Sequence, residues 1–196
     1  MTSLNSRRII TKTFAGKKQI KDVITSIVAS EILNPREIWL VSAWISNFDL
    51  VDNRAGAWDV LNPSWGHRTL TFFEVLETVV SAGCKVNVVM RDDEINASAI
   101  NELRTKLSNY PNFRLALSQE LHAKGLFTKD ASLTGSMNFT YSGMNKNEEL
   151  MTLDRSIDDI GQMFNTHSIS YPMDEPGALE AEESEEEDDD DEISFW

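Results

Sequence analysis

The segment LHAKGLFTKDASLTGSMNFTYSGMNKNEELMTL, residues 121–153, concentrates side chains able to do phosphoryl chemistry. His122 and Lys124 stand two apart in a stretch that reads as a strand, which puts both on one face. Ser136 and Asn138 repeat that spacing in the next such stretch. Lysine supplies fixed positive charge for a phosphate oxygen, and serine and asparagine add hydrogen bonds to the same group. A neutral histidine offers a nucleophilic nitrogen or a proton-transfer group near neutral pH. Glu149 follows where it can accept a hydrogen bond from the other ring nitrogen, fixing the tautomer and stabilising the imidazolium. This chemistry calls for no metal-ligand cluster, and neither a metal nor a cofactor is expected.

The turn between the two strands decides whether the pairs meet. A two-residue turn at Lys129–Asp130 sets Thr128 opposite Ala131 and turns Ser136 away from His122. A three-residue turn, Lys129–Asp130–Ala131, sets Lys124 opposite Ser136 and His122 opposite Asn138, so that all four converge. The three-residue turn is the expectation.

The elements that must position these residues alternate along the chain. Strand patterns cover 9–14, 37–46, 85–90, 113–117, 121–128, 133–138 and 148–153; helical spacing covers 17–30, 71–82, 95–107 and 156–164. Gly83 closes the second helix as a C-cap. Residues 47–68 read as a long loop, with Trp58 and Trp65 as packing residues. Strands separated by helices early, then a hairpin, predict an α/β fold: an α/β/α sandwich with a mixed sheet flanked by helices.

His122, Lys124, Gly135, Ser136 and Asn138, with Glu149 eleven positions after the asparagine, resemble the HxK…GSxN signature of the phospholipase D superfamily. The likeness is to its small single-motif members, the bacterial endonucleases of the Nuc type. One departure stands out: the family pattern places aspartate five positions after the lysine, where this chain has Lys129 and then Asp130. The resemblance implies a metal-independent phosphodiesterase that works through a phosphohistidine intermediate. His122 would be the nucleophile, and Lys124, Ser136 and Asn138 would hold the phosphoryl oxygens. Glu149 would orient His122. It further implies a homodimer, in which the second His122 protonates the leaving oxygen. The alternative is a catalytically silent dimeric adaptor or DNA-binding component of a larger complex.

Composition narrows the rest. The chain has 196 residues and a net charge of −14. Thirteen acidic and no basic residues lie in 173–196, so the body is close to neutral. The division expected is a phospholipase D-like domain over 1–172 and a disordered acidic tail with a hydrophobic tip over 173–196. One cysteine, Cys84, excludes an internal disulfide and a cysteine-clustered zinc site, and is expected to be buried and inert. P-loop, dinucleotide, zincin and serine-hydrolase motifs are absent. No apolar run spans a membrane and no secretory signal is visible, which makes the cytoplasm the expected compartment. His67 and His167 are expected in surface or packing roles.

A nuclease must hold a polyanion. Arg7, Arg8, Lys12, Lys17, Lys18 and Lys21 precede the first acidic residue and could line a groove with Lys124, Lys129 and Lys146; a solvated helix face is the plainer reading. Nucleic acid is the expected substrate, DNA ahead of RNA, with no amphipathic stretch to favour lipid. The chain ends EEEDDDDEISFW. Ile193, Phe195 and Trp196 resemble the hydrophobic tip of the acidic C-terminal peptide of bacterial single-stranded DNA-binding proteins. They suggest either docking to a partner in a DNA-processing or phage-defence system or occupation of the cationic site by the tail; solubility alone is the simpler role.

Overall fold

The computed structural model describes residues 6–171 and Met173. Seven strands form one mixed sheet. They are β1 (Ser6–Ile10), β2 (Glu37–Ser42), β5 (Lys85–Arg91), β6 (Phe113–Ser118), β7 (Lys124–Phe127), β8 (Ser132–Gly135) and β9 (Leu150–Asp154), in the order β1-β9-β8-β7-β2-β5-β6. β2, β5 and β6 run parallel; β7, β8, β9 and β1 continue the sheet antiparallel.

β2 shows why the sheet is covered twice. Ile38 and Leu40 enter the larger core, whereas Trp39 and Val41 enter a smaller one, as alternation requires. Helices α1 (Phe14–Leu33), α2 (Phe72–Ser81) and α3 (Ala97–Leu107) bury Ile20, Ile24, Leu76 and Leu103 in the first core. Helix α5 (Ile157–Ser170) brings Ile160 and Phe164 to the second. The α/β/α sandwich expected from the sequence is present.

Helix boundaries follow local chemistry. Thr13 caps α1 by accepting from Gly16 N at 3.1 Å. Glu74 reaches back to Thr71 N at 2.8 Å to start α2. Gly83 follows the last residues of α2 at φ +100°, the left-handed geometry glycine tolerates at a helix end.

The stretch 47–68, expected as a loop, contains β3 (Asp49–Asp52), which pairs with β4 (Thr69–Thr71) in a separate two-stranded sheet. Trp65 is buried as expected, its indole N–H donating to Thr78 Oγ1 at 2.9 Å. A short helix, α4 (Tyr141–Asn145), was not evident in the sequence and begins three residues after Asn138.

The hairpin corrects the expected register. Gly125 pairs with Thr134 and Phe127 with Ser132, so the turn is the two-residue Lys129–Asp130, not three residues. A two-residue turn ordinarily uses positive φ, yet no non-glycine residue among those described has it. Thr128 supplies the alternative. Its backbone N–H donates to Ala131 O at 2.8 Å, and its hydroxyl oxygen accepts from Asp130 N at 3.3 Å and Ala131 N at 3.2 Å. The side chain stands in for a ladder carbonyl. Arg36 then ties Asp130 to Glu31, at 2.6 and 2.7 Å. The strands are also shorter than expected: His122 precedes β7, and Asn138 lies beyond β8.

Candidate active site

The strand directions bring several chain ends to one edge of the sheet. β2 ends there at Ser42, β5 at Arg91 and β8 at Gly135; β7 begins there at Lys124 and β9 at Leu150. This is the carboxyl edge of the parallel strands, the usual ligand-binding edge of open α/β sheets.

Lys124 pairs with Ser42 across β7 and β2. Its ammonium donates to His122 O at 2.5 Å. Burial lowers its pKa from the usual lysine range, the Arg91 charge lowers it further, and the Glu149 carboxylate opposes both. Lys124, Arg91 and Glu149 therefore share one electrostatic neighbourhood.

Ser136 lies one residue past β8, and its hydroxyl donates to the Glu149 carboxylate. The same oxygen accepts from Leu150 N at 3.1 Å. Glu149 also accepts from Asn147 Nδ2 at 3.1 Å, and its own N–H donates to Thr11 Oγ1 at 2.8 Å. Asn138 is held from the other side. Its Oδ1 accepts from Trp44 N at 3.4 Å and lies 3.3 Å from the Ser42 hydroxyl.

Two glycines permit this packing. A Cβ on Gly135 would lie 2.2 Å from Leu150 O, and one on Gly143 would lie 2.3 Å from Asn138 O. The Gly135 position thus lets β8 approach β9 closely enough for Ser136 to reach Glu149.

The structure links Lys124, Ser136, Asn138 and Glu149 at the sheet edge, but not by the cross-strand pairing expected from sequence. The observed register puts Lys124 opposite Gly135, and strand alternation would direct Ser136 to the opposite face. The chain instead leaves the strand at Gly135, where alternation no longer governs. A second correction concerns Glu149: its carboxylate engages Ser136 and Asn147, not the His122 ring. His122 is exposed, and its ring has no hydrogen-bond partner among the described residues.

Sequence reasoning missed Ser42, Trp44 and Arg91. The signal was available: a serine interrupts the apolar run EIWLVSAW, and an arginine ends KVNVVMR. Polar groups at the carboxyl ends of otherwise apolar strands face the ligand edge. Cys84 is buried as expected, with its thiol pushed up to about 12, chiefly by burial. His167 packs against Phe127, ring centroids 4.6 Å apart, while His67 is exposed 3.5 Å from Asp59. No group of three or more histidine, cysteine or acidic residues arranged to hold a metal occurs among the described residues. No helix among them is long and apolar enough to cross a membrane.

The family described as "Cardiolipin synthase, PLD-like domain" matches residues 58–166, and the chain belongs to this phospholipase D-like family. Its fold is shared by solved structures of low sequence identity. NucT from Helicobacter pylori is 14% identical with a TM-score of 0.54, over 84% of this chain and 93% of that one. Nuc from Salmonella typhimurium, a phospholipase D family member, is 14% identical with a TM-score of 0.52, over 87% and 97%. TrmBL2, an archaeal chromatin protein described as showing a novel mode of DNA binding, is 8% identical with a TM-score of 0.51, over 87% and 54%. Among curated proteins, none matches the chain.

Proposed function

We propose that this protein is a metal-independent phosphodiesterase acting on nucleic acid, with His122 as nucleophile. The observation that carries this reading is the joining of Lys124, Ser136, Asn138 and Glu149 at one sheet edge, beside an exposed histidine with a free ring. Membership of the phospholipase D-like family supports the same chemistry.

In the proposed reaction a neutral His122 ring nitrogen attacks phosphorus. The N–P bond forms as the bond to the leaving oxygen breaks, and the leaving oxygen takes a proton from His122 of a second copy of the chain. Water then attacks phosphorus and gives its proton to that second histidine. The N–P bond breaks, and its electron pair returns to His122. Lys124, Ser136 and Asn138 stabilise the charge on the phosphoryl oxygens. Glu149, which accepts the Ser136 hydroxyl, would act through that serine and would meet His122 only if the side chains rearrange as the two copies close around substrate.

DNA is the first substrate to test and RNA the second. The residues after 173 lie outside the described structure; their acidity and Ile193–Trp196 tip fit a partner-docking or self-competing segment, of use in DNA processing or phage defence. The cytoplasm is the proposed compartment.

The test is cleavage of labelled single- and double-stranded DNA and RNA in EDTA. The protein is expected to cut, and His122→Ala to cut at least about 100-fold more slowly. Absence of cleavage by a protein shown to be dimeric would favour a second reading, a silent DNA-binding adaptor. The specific observation favouring that reading is the engagement of Glu149 by Ser136 and Asn147 rather than His122.

A further inference from the structure

Arg91 is the charged side chain at this edge that the proposed reaction leaves unused. Its Nε donates to Leu121 O at 3.0 Å, the carbonyl immediately before His122. Its guanidinium carbon lies 5.6 Å from the Trp44 ring centroid. The backbone is equally fixed: Arg91 N donates to Ala43 O at 3.2 Å, and Arg91 O accepts from Asn96 Nδ2 at 2.8 Å.

These contacts hold the base of the guanidinium and leave its two terminal nitrogens without a protein partner among the described residues. A guanidinium so fixed presents a planar pair of donors at little further entropic cost. It also stands within Coulombic range of Lys124, at a cost to the charged form of that lysine. An anion placed between or beside two such cations would remove that cost.

β2 lies between β5 and β7, so the two backbones are about 10 Å apart at two strand spacings. The long side chains nevertheless converge: Lys124 Nζ donates to His122 O at 2.5 Å and Arg91 Nε to Leu121 O at 3.0 Å, so the two cations are held on consecutive carbonyls.

Resting on the proposed function, we infer that Arg91 is a further phosphate-binding residue at this edge, acting beside Lys124. The ligand it recognises is a phosphate of the nucleic-acid backbone. Trp44 is a positioning residue for the guanidinium.

The test is fluorescence anisotropy of a labelled oligothymidylate titrated with full-length protein over a range of salt. A His122→Ala background prevents cleavage during the titration. Arg91→Gln is expected to weaken binding about 10-fold at low salt. It should also reduce the slope of log affinity against log salt by about 0.7 for each phosphate lost. Arg91→Lys restores the charge and is expected to restore the slope. An unchanged slope in Arg91→Gln overturns the inference. So does a slope that Arg91→Lys fails to restore, since the defect would then come from the Leu121 anchor. Absence of salt-dependent binding by the background protein would instead overturn the nucleic-acid reading itself, and this inference with it.

Discussion

A methyl group on Gly135 would sit 2.2 Å from Leu150 O and 2.6 Å from Met151 Sδ. Gly135→Ala must therefore push β8 from β9, at a cost of about 1–3 kcal/mol. A urea midpoint checks the stability, and the same displacement should draw Ser136 from Glu149 and lower turnover. Glu149→Gln removes the charge that strengthens the Ser136 contact and partly offsets Arg91 at Lys124. Turnover is expected to fall about 100-fold through misplacement of Ser136, with the circular-dichroism spectrum and melting transition retained. At this scale the sequence was informative in a particular way. The spacing of His122, Lys124, Ser136 and Asn138 marked the candidate site, but gave no access to the partner of Glu149. That partner depends on how the chain leaves β8, which one glycine decides.

The hairpin shows what strand patterns leave open. Alternation in KGLF and SLTG fits more than one register, and turn length chooses between them. The choice fell to Thr128, whose hydroxyl accepts the two turn amides. Thr128→Val keeps the shape and removes the acceptor, leaving two amides short of a partner. A loss of about 1–3 kcal/mol is expected by urea denaturation. β3 and β4 were hidden for a different reason: each is short, and a long excursion separates them. By contrast, the apolar runs of β2 and β5 and the helical spacing of α1 to α3 were legible, because large buried faces demand regular patterns. The cap of α2 gives a pH signature. A hydrogen bond from Arg68 holds the Glu74 carboxyl down to about 2, from an ordinary 4.5. Its contribution is complete above about pH 4.5 and is lost as pH falls toward about 2. Glu74→Gln should flatten that part of the acid limb in urea midpoints measured across the interval.

At the scale of the whole molecule, charge is divided between a near-neutral body and an acidic C-terminal segment. An acidic segment tethered to a protein with a cationic edge would compete with nucleic acid for it, as proposed for residues 174–196. Deletion after Pro172 is expected to tighten DNA binding several-fold at low salt, with the difference shrinking as salt screens both interactions. Equal affinities at low salt would leave docking or solubility as the segment's role. The proposed pairing of two copies places a second His122 opposite the first, so activity should fall with dilution below the dimer dissociation constant.

The central claim is that His122 becomes covalently attached to phosphorus. The direct measurement is transfer of label from phosphate-labelled DNA to the protein after a rapid alkaline denaturing quench in EDTA. The account predicts an acid-labile, alkali-stable adduct that maps to a peptide containing His122 and is absent from His122→Ala. Cleavage in EDTA at the same rate by His122→Ala, or an adduct mapped to another residue, would contradict it.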